Sequence, residues 1–295
     1  MKMPEGWACG SLFKKENRAP EGLHQVLGEI RRTMGDACMI WEKEMNVARQ
    51  AALEAGKILT SMFGHINQVM KKGEIDLVTE ADLRAEKAIL EIIRHHFPRD
   101  SILTEEAGEY RDLPERVWLI DPLDGTTNFA HAFPFYAVSI ALEVENETVL
   151  GVVFNPTLDE YFEAIRGEGA FLNNEPIRVS QTSEINESLL ATGFPYDIHQ
   201  NPDRIMDLFR KVVVRAQGVR RPGSAAIDLC YVAAGRFDGF WEAGLKPWDT
   251  AAGIILVGEA GGRLSNYRGE PYSPYSESIV ASNTLIHEAM LAGLV

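Results

Sequence analysis

Cysteine is nearly missing from this chain. Cys9, Cys38 and Cys230 are the only three in 295 residues, an odd count at spacings that fit neither a disulfide framework nor a zinc site. A reducing, cytoplasmic setting is the simplest expectation. Cys230 falls in an apolar helical run and reads as a small buried hydrophobe. No apolar run approaches the ~20 residues of a membrane-spanning helix, so no membrane association is expected. The first residues carry lysines but no apolar segment, which argues against a signal peptide and against a lipoprotein reading of Trp7-Ala8-Cys9-Gly10. Positive charge is also short. Lys and Arg number 29 against 43 Asp and Glu, a formal net charge of −14. That balance argues against a nucleic-acid partner. An anionic ligand would need the field reversed locally, and bound cations are the obvious means.

What is present suffices for a large core. Hydrophobic residues make up 45% of the chain, enough for one big domain or two that share an interface. Residues 1–38 mix Pro4, Pro20 and several glycines with scattered charge, and are expected to be a poorly ordered extension with at most a short helix near 24–34. Residues 39–63 have helical periodicity, with Ala48, Ala51, Ala52, Ala55, Ile58, Leu59 and Met62 on one face. A second helix is expected from about Thr79 to His96, closed by Pro98. Ser101–Thr104, Val117–Ile120, Tyr136–Val144, Val149–Asn155 and Tyr161–Arg166 read as strands, and their short connections imply an antiparallel sheet. After the polar stretch Ser180–Glu184, strands near 188–192, 217–221, 237–241 and 278–282 alternate with helices near 202–214, 224–234, 249–260 and 284–293. The expected organisation is an N-terminal α+β half over 39–183 and a mixed α/β half over 184–295.

Acidic residues sit at the ends of these elements: Asp76 and Asp82, Glu105-Glu106, Asp121 with Asp124, and Asp249. Asp121 is placed where a hydrophobic strand ends, Pro122 stiffens the turn, and Asp124 follows three residues later. Both carboxylates can then face one cavity. Gly125-Thr126-Thr127 comes next, where free amides at the start of a helical turn would suit an anion. A plain polar turn would explain Asp121–Gly125 taken alone. Surface acids and an N-cap would likewise explain Glu105-Glu106 and Asp249. Several carboxylates brought together call for hard cations such as Mg²⁺.

Four motifs carry a resemblance. Asp76-Leu77-Val78-Thr79-Glu80-Ala81-Asp82, Glu105-Glu106, Trp118–Phe129, and Trp248–Gly253 with Glu259-Ala260-Gly261-Gly262 occur in the order and approximate spacing of the inositol monophosphatase family. The resemblance covers about residues 44–295. It implies a layered αβαβα sandwich, a homodimer, two or three Mg²⁺ per site and lithium sensitivity. By motif, Glu105, Asp121 and the Leu123 carbonyl would hold one cation, and Asp121, Asp124 and Asp249 a second. Glu105 with water would hold a third, weaker one. Asp82 and Thr126 would orient the attacking water, and the Gly125 and Thr126 amides would meet phosphate. Glu242 and the Ala225 amide match polyol-contacting positions, and Glu106 would stand behind the ligands. Lys71 or Lys72 would approach from upstream. His95, His96 and His131 are assigned no part in the chemistry.

The implied activity is Mg²⁺-dependent hydrolysis of a phosphate monoester, myo-inositol 1-phosphate first, by metal-activated water. Fructose-1,6-bisphosphate, histidinol phosphate, a 3′-phosphonucleotide or NADP could occupy the same site. Arg220-Arg221 could bind a second phosphate, although a surface or interface pair explains them as well. A role as an RNA- or transcription-associated accessory protein is the alternative of a different kind.

Overall fold

The computed structural model describes residues 40–65, 69–71, 77–106, 108–110, 113–195, 198–200 and 202–294. The expected helix near 24–34, Asp76 and Lys72 lie outside them, and Lys71 is described by its backbone alone.

Alanine spacing sets the first helix. α1 (Glu42–Met62) buries Ala48, Ala51, Ala52, Ala55 and Leu59, and α2 (Glu80–His96) buries Ala81, Ala85, Ile89 and Ile93. Between them lies the two-stranded ribbon β1 (Val69–Lys71) and β2 (Leu77–Thr79). An eight-stranded sheet follows. Its strands are β3 (Asp100–Thr104), β4 (Gly108–Tyr110), β5 (Leu113–Asp124), β6 (Ala137–Val144), β7 (Glu147–Asn155), β8 (Glu160–Ile165), β9 (Gly169–Leu172) and β10 (Glu175–Pro176). The order across the sheet is β10-β9-β8-β7-β6-β5-β3-β4. The five-stranded sheet has the order β12-β11-β13-β15-β14. It comprises β11 (Leu189–Thr192), β12 (Gly218–Arg220), β13 (Gly239–Ala243), β14 (Arg263–Ser265) and β15 (Ser278–Ser282). The remaining helices are α3 (Thr126–Ala130), α4 (Pro202–Val213), α5 (Ala225–Ala233), α6 (Pro247–Glu259) and α7 (His287–Leu294).

Period-two alternation assigns the layers. In β5, Trp118 and Ile120 join the core under α1 and α2, while Leu119 joins the core with α5 and α6. In the smaller sheet, Phe240, Ile279 and Ala281 face α5 and α6, while Trp241 and Val280 pack with Leu208, Met290 and Leu291 of α4 and α7. The result is five layers, αβαβα, with α5 and α6 filled by apolar residues on both sides because a sheet covers each. Gly151 in β7 permits the tight approach of α6. A Cβ there would lie 2.8 Å from the Ala252 backbone.

Two expectations change. β5 does not stop at Ile120 but continues through Asp124, with a register irregularity. Asp121 pairs Ser139 and Asp124 pairs Ala137, so three steps on β5 match two on β6 and one residue bulges out. The large sheet is antiparallel except for β3 and β5, which run parallel. Short connections predicted hairpins, but β4 occupies the edge beside β3, so the chain enters β5 on the other side.

Candidate active site

The parallel pair unites two acidic motifs. Parallel strands end on the same edge, and Thr104 is in register with Ile120. Glu105 follows β3, and its N–H donates to the Ile120 carbonyl at 3.3 Å. Asp121 is the next residue on β5. Two carboxylates sixteen positions apart thus meet at one sheet end. The bulge then turns Asp124 to the same side as Asp121.

Each of the three aspartates has one oxygen tied back to the protein. Asp121 Oδ1 accepts from the Leu123 N–H at 2.9 Å. Asp124 Oδ2 accepts from Ser224 Oγ at 2.6 Å and from the Ala226 N–H at 2.7 Å. It therefore sits at the positive end of α5, whose cap is Ser224. Asp249 Oδ2 accepts from the Lys246 N–H at 2.7 Å. Asp249, expected at or near the N-cap, is three residues in, since Pro247 begins α6 and Lys246 is the cap.

Asp82 is fully buried near the start of α2. The Thr126 hydroxyl is 3.2 Å from Asp82 Oδ1 and 3.0 Å from the Leu123 carbonyl. One hydroxyl proton serves one acceptor at a time, so Thr126 is poised between them. Gly125 has φ +98°, a left-handed conformation that lets the turn fold under the pocket.

Glu105, Asp121, Leu123, Asp124, Gly125, Thr126, Ala225, Glu242 and Asp249 line a single pocket of about 520 Å³. Asp82 is not in its lining and reaches it through Thr126. Among the described lining residues six are acids, Asp228 included, and Arg221 is the one Lys or Arg. Burial, then the charges of Glu105, Asp124 and Asp249, pushes the Asp121 carboxyl well above its usual range. Burial and then Asp124 do the same to Asp249. Asp124 rises only to about 6, because Ser224 and the Ala226 amide oppose the effect of burial. Glu242 is raised to about 8 by burial, with Arg221 opposing and Asp124 adding to it.

Three contributors escaped the sequence reading. Glu86 is buried one helical turn after Asp82, accepts from Thr104 Oγ1, and accepts from the Glu106 N–H at 3.3 Å. It holds the turn that carries Glu105. Its i+4 spacing from Asp82 was a usable signal. Asn128 Nδ2 donates to the carbonyls of Phe135 at 2.7 Å and Pro222 at 2.9 Å, stapling the 222–224 loop to the Asp121–Thr127 segment. Ser224 is the third. Nothing local in the sequence linked it to Asp124, a hundred residues away.

The donor set is all oxygen and strongly anionic, which suits Mg²⁺. Among the described residues no three His, Cys, Asp or Glu side chains are grouped closely enough to hold a metal ion as they stand. Burial first, and then the neighbouring acids, raises the Asp121 and Asp249 carboxyls. A divalent cation would relieve the repulsion between these acids.

Residues 41–295 match the inositol monophosphatase family. An inositol-1-monophosphatase from Synechocystis sp. is 46% identical, covering 85% of this chain and 88% of its own length. The Nus factor SuhB of Escherichia coli is 43% identical, over 85% of this chain and 95% of its own. The solved structure of an inositol monophosphatase from Anabaena superposes with a TM-score of 0.79 at 43% identity, covering 86% of this chain and 95% of the other.

Proposed function

The chain belongs to the inositol monophosphatase family, and on that premise we propose that it hydrolyses a phosphate monoester, myo-inositol 1-phosphate, in a Mg²⁺-dependent reaction. The observation that carries the reading is the convergence of Glu105, Asp121, Asp124 and Asp249 on one pocket that also holds Gly125, Thr126 and Glu242. Lithium sensitivity and a homodimeric state belong to the same reading.

Glu105, Asp121 and the Leu123 carbonyl would hold one Mg²⁺, and Asp121, Asp124 and Asp249 another. The bound cations supply the positive charge that this acidic pocket lacks and so admit a phosphate. The protein's own groups do the rest. Asp82 Oδ1 holds the Thr126 hydroxyl, whose lone pairs then face the attacking water, and the buried Asp82 carboxylate takes up positive charge developing along that hydrogen bond. The Gly125 and Thr126 amides orient the phosphate oxygens. Glu242 and the Ala225 amide face the released alcohol. In this structure the Ala225 amide also faces Asp124, opposing the rise of its pKa. No side-chain nucleophile is needed, because water is the attacking group.

A phosphate-release assay ranks the substrates. Myo-inositol 1-phosphate is expected to exceed fructose-1,6-bisphosphate, histidinol phosphate, 3′-phosphoadenosine and NADP in kcat/KM. Glu242→Gln is expected to raise KM for the inositol ester. A higher rate on any of the other four would replace the substrate assignment. A second reading has its own support, since one of the similar relatives carries the name Nus factor SuhB. An RNA- or transcription-associated role would then coexist with the pocket. Salt-dependent RNA retention by an Asp249→Asn protein would favour it.

A further inference from the structure

We infer that Tyr272, through its hydrogen bond to the Thr250 hydroxyl, is a positioning residue for Asp249 and sets the affinity of the pocket for its divalent cation. The inference rests on the phosphatase reading above, in which Asp249 is a ligand, and adds to it a residue outside the pocket that tunes metal loading.

Between β14 and β15 the sequence repeats a Pro-Tyr pair, Pro271-Tyr272 and Pro274-Tyr275. Each proline fixes its own φ, which limits where the following tyrosine can go. A turn closes the segment, with the Ser276 N–H donating to the Ser273 carbonyl at 3.0 Å and the Ser273 N–H to Ser276 Oγ at 3.1 Å. The two tyrosine hydroxyls end on different layers of the fold. Tyr275 donates to Glu143 Oε2 on β6 at 2.8 Å. Tyr272 donates to Thr250 Oγ1 on α6 at 3.1 Å. The same segment meets the end of the strand that carries Glu242, where the Gly244 N–H donates to the Glu277 carbonyl at 2.9 Å. It is a brace across β6, α6 and β13.

Thr250 follows Asp249 in the chain and is fully buried. From Thr250 to Val257, α6 carries no other polar side chain. A hydroxyl in such a run costs stability unless it is paired. A β-branched side chain in a helix is stiff at χ1, so holding the hydroxyl also holds the backbone beside it. Asp249 is the next residue on that backbone, and its Oδ2 is already engaged by the Lys246 N–H at 2.7 Å. The aim of the carboxylate then depends on how the first turn of α6 is seated. Burial raises the Tyr272 phenol above its usual range, the Thr250 hydrogen bond opposes that, and the charges of Asp249 and Glu242 add to it. The phenol is thus close enough to feel both acids. Neither Tyr272 nor Thr250 lines the pocket, so their effect on the cation runs through Asp249. Groups one contact behind a metal ligand govern affinity by fixing the ligand's orientation.

The test uses the full chain. Mg²⁺ affinity is measured by titration calorimetry without substrate, then kcat and the Mg²⁺ concentration for half-maximal phosphate release from myo-inositol 1-phosphate. Tyr272→Phe keeps the ring and removes the hydroxyl, and Thr250→Val removes its acceptor at similar size. Each is expected to weaken Mg²⁺ binding about fivefold or more and to raise the half-maximal concentration in parallel, with kcat at saturating Mg²⁺ within about twofold. The double variant should lose no more than either single one, because both remove the same contact. Thr250→Ser keeps the acceptor and should stay within about twofold of the unaltered chain. Tyr275→Phe releases the other end of the brace and should also leave Mg²⁺ affinity within about twofold. A lower thermal midpoint with unchanged Mg²⁺ affinity in Tyr272→Phe and Thr250→Val would reduce the pair to a structural contact and overturn the inference. Additive losses in the double variant, or an equal loss in Tyr275→Phe, would overturn it as well. If the unaltered protein binds no Mg²⁺ and releases no phosphate, the phosphatase reading itself fails. If it does both and Tyr272→Phe binds Mg²⁺ as tightly, only this inference falls.

Discussion

Replacing Gly125 by alanine tests how the bulged segment is built. Gly125 has φ +98°, a conformation that costs an L-residue about 1–2 kcal/mol. A Cβ there would also lie 3.0 Å from the Phe135 carbonyl oxygen, 3.3 Å from the Gly223 carbonyl oxygen and 3.3 Å from the Tyr136 Cα. All three are backbone atoms, so no side chain can swing aside. Overpacking of this kind adds about 1–3 kcal/mol, for a total of about 2–5. Relief would require moving the Phe135 carbonyl, which accepts from Asn128 Nδ2 at 2.7 Å. The staple that holds the 222–224 loop would loosen, and activity should fall along with stability. Gly64 is the control. It has φ +75° with nothing among the described residues within 4 Å, so Gly64→Ala should cost only the conformational part, about 1–2 kcal/mol. Urea unfolding followed by circular dichroism reads both. The reasoning is refuted if Gly125→Ala is within about 1 kcal/mol of the unaltered chain, or if both alanines cost the same.

Three more expectations follow from the site and the core. Asp249→Asn keeps an oxygen for the Lys246 N–H but removes one charge from the pocket. Turnover should fall about 100-fold or more, with the thermal shift on adding Mg²⁺ reduced; an undiminished shift would remove Asp249 from the ligand set. Glu86→Ala leaves Thr104 Oγ1 and the Glu106 N–H without their acceptor, at a cost of about 1–3 kcal/mol, and should weaken the Mg²⁺ response by loosening the Glu105 turn. His287 is buried between Ser265 Oγ and Ser282 Oγ, and burial lowers its pKa to about 4. The unfolded chain takes up that proton near pH 6.5, so its contribution is full above pH 6.5 and is lost as pH falls towards 4. The difference amounts to roughly 3 kcal/mol, and His287→Gln should flatten that part of the stability profile. An unchanged slope would place the acid sensitivity elsewhere.

The helices and most strands were legible because alanine and leucine spacing and strand alternation are local signals, whereas the αβαβα layering was implied only by the family resemblance. The acidic ligand candidates were legible because they cluster at element ends. The parallel β3–β5 pair was not, because nothing in the sequence says on which side of β3 the chain re-enters the sheet. The bulge at Asp121–Asp124 was hidden because Pro122 signals a turn whether or not the strand continues. Ser224, Asn128 and Glu86 are ordinary polar residues until folding brings them to Asp124, the Pro222 carbonyl and the Glu106 amide. The short strands β9, β10 and β14 depend on pairing more than on propensity.

The most direct test of the central claim is phosphate release from a panel of monoesters by the purified chain, with and without Mg²⁺ and with Li⁺ added. The account predicts release from myo-inositol 1-phosphate that requires Mg²⁺ and is suppressed by Li⁺. Absence of turnover on every monoester in the presence of Mg²⁺, by a protein shown to be folded, would contradict it.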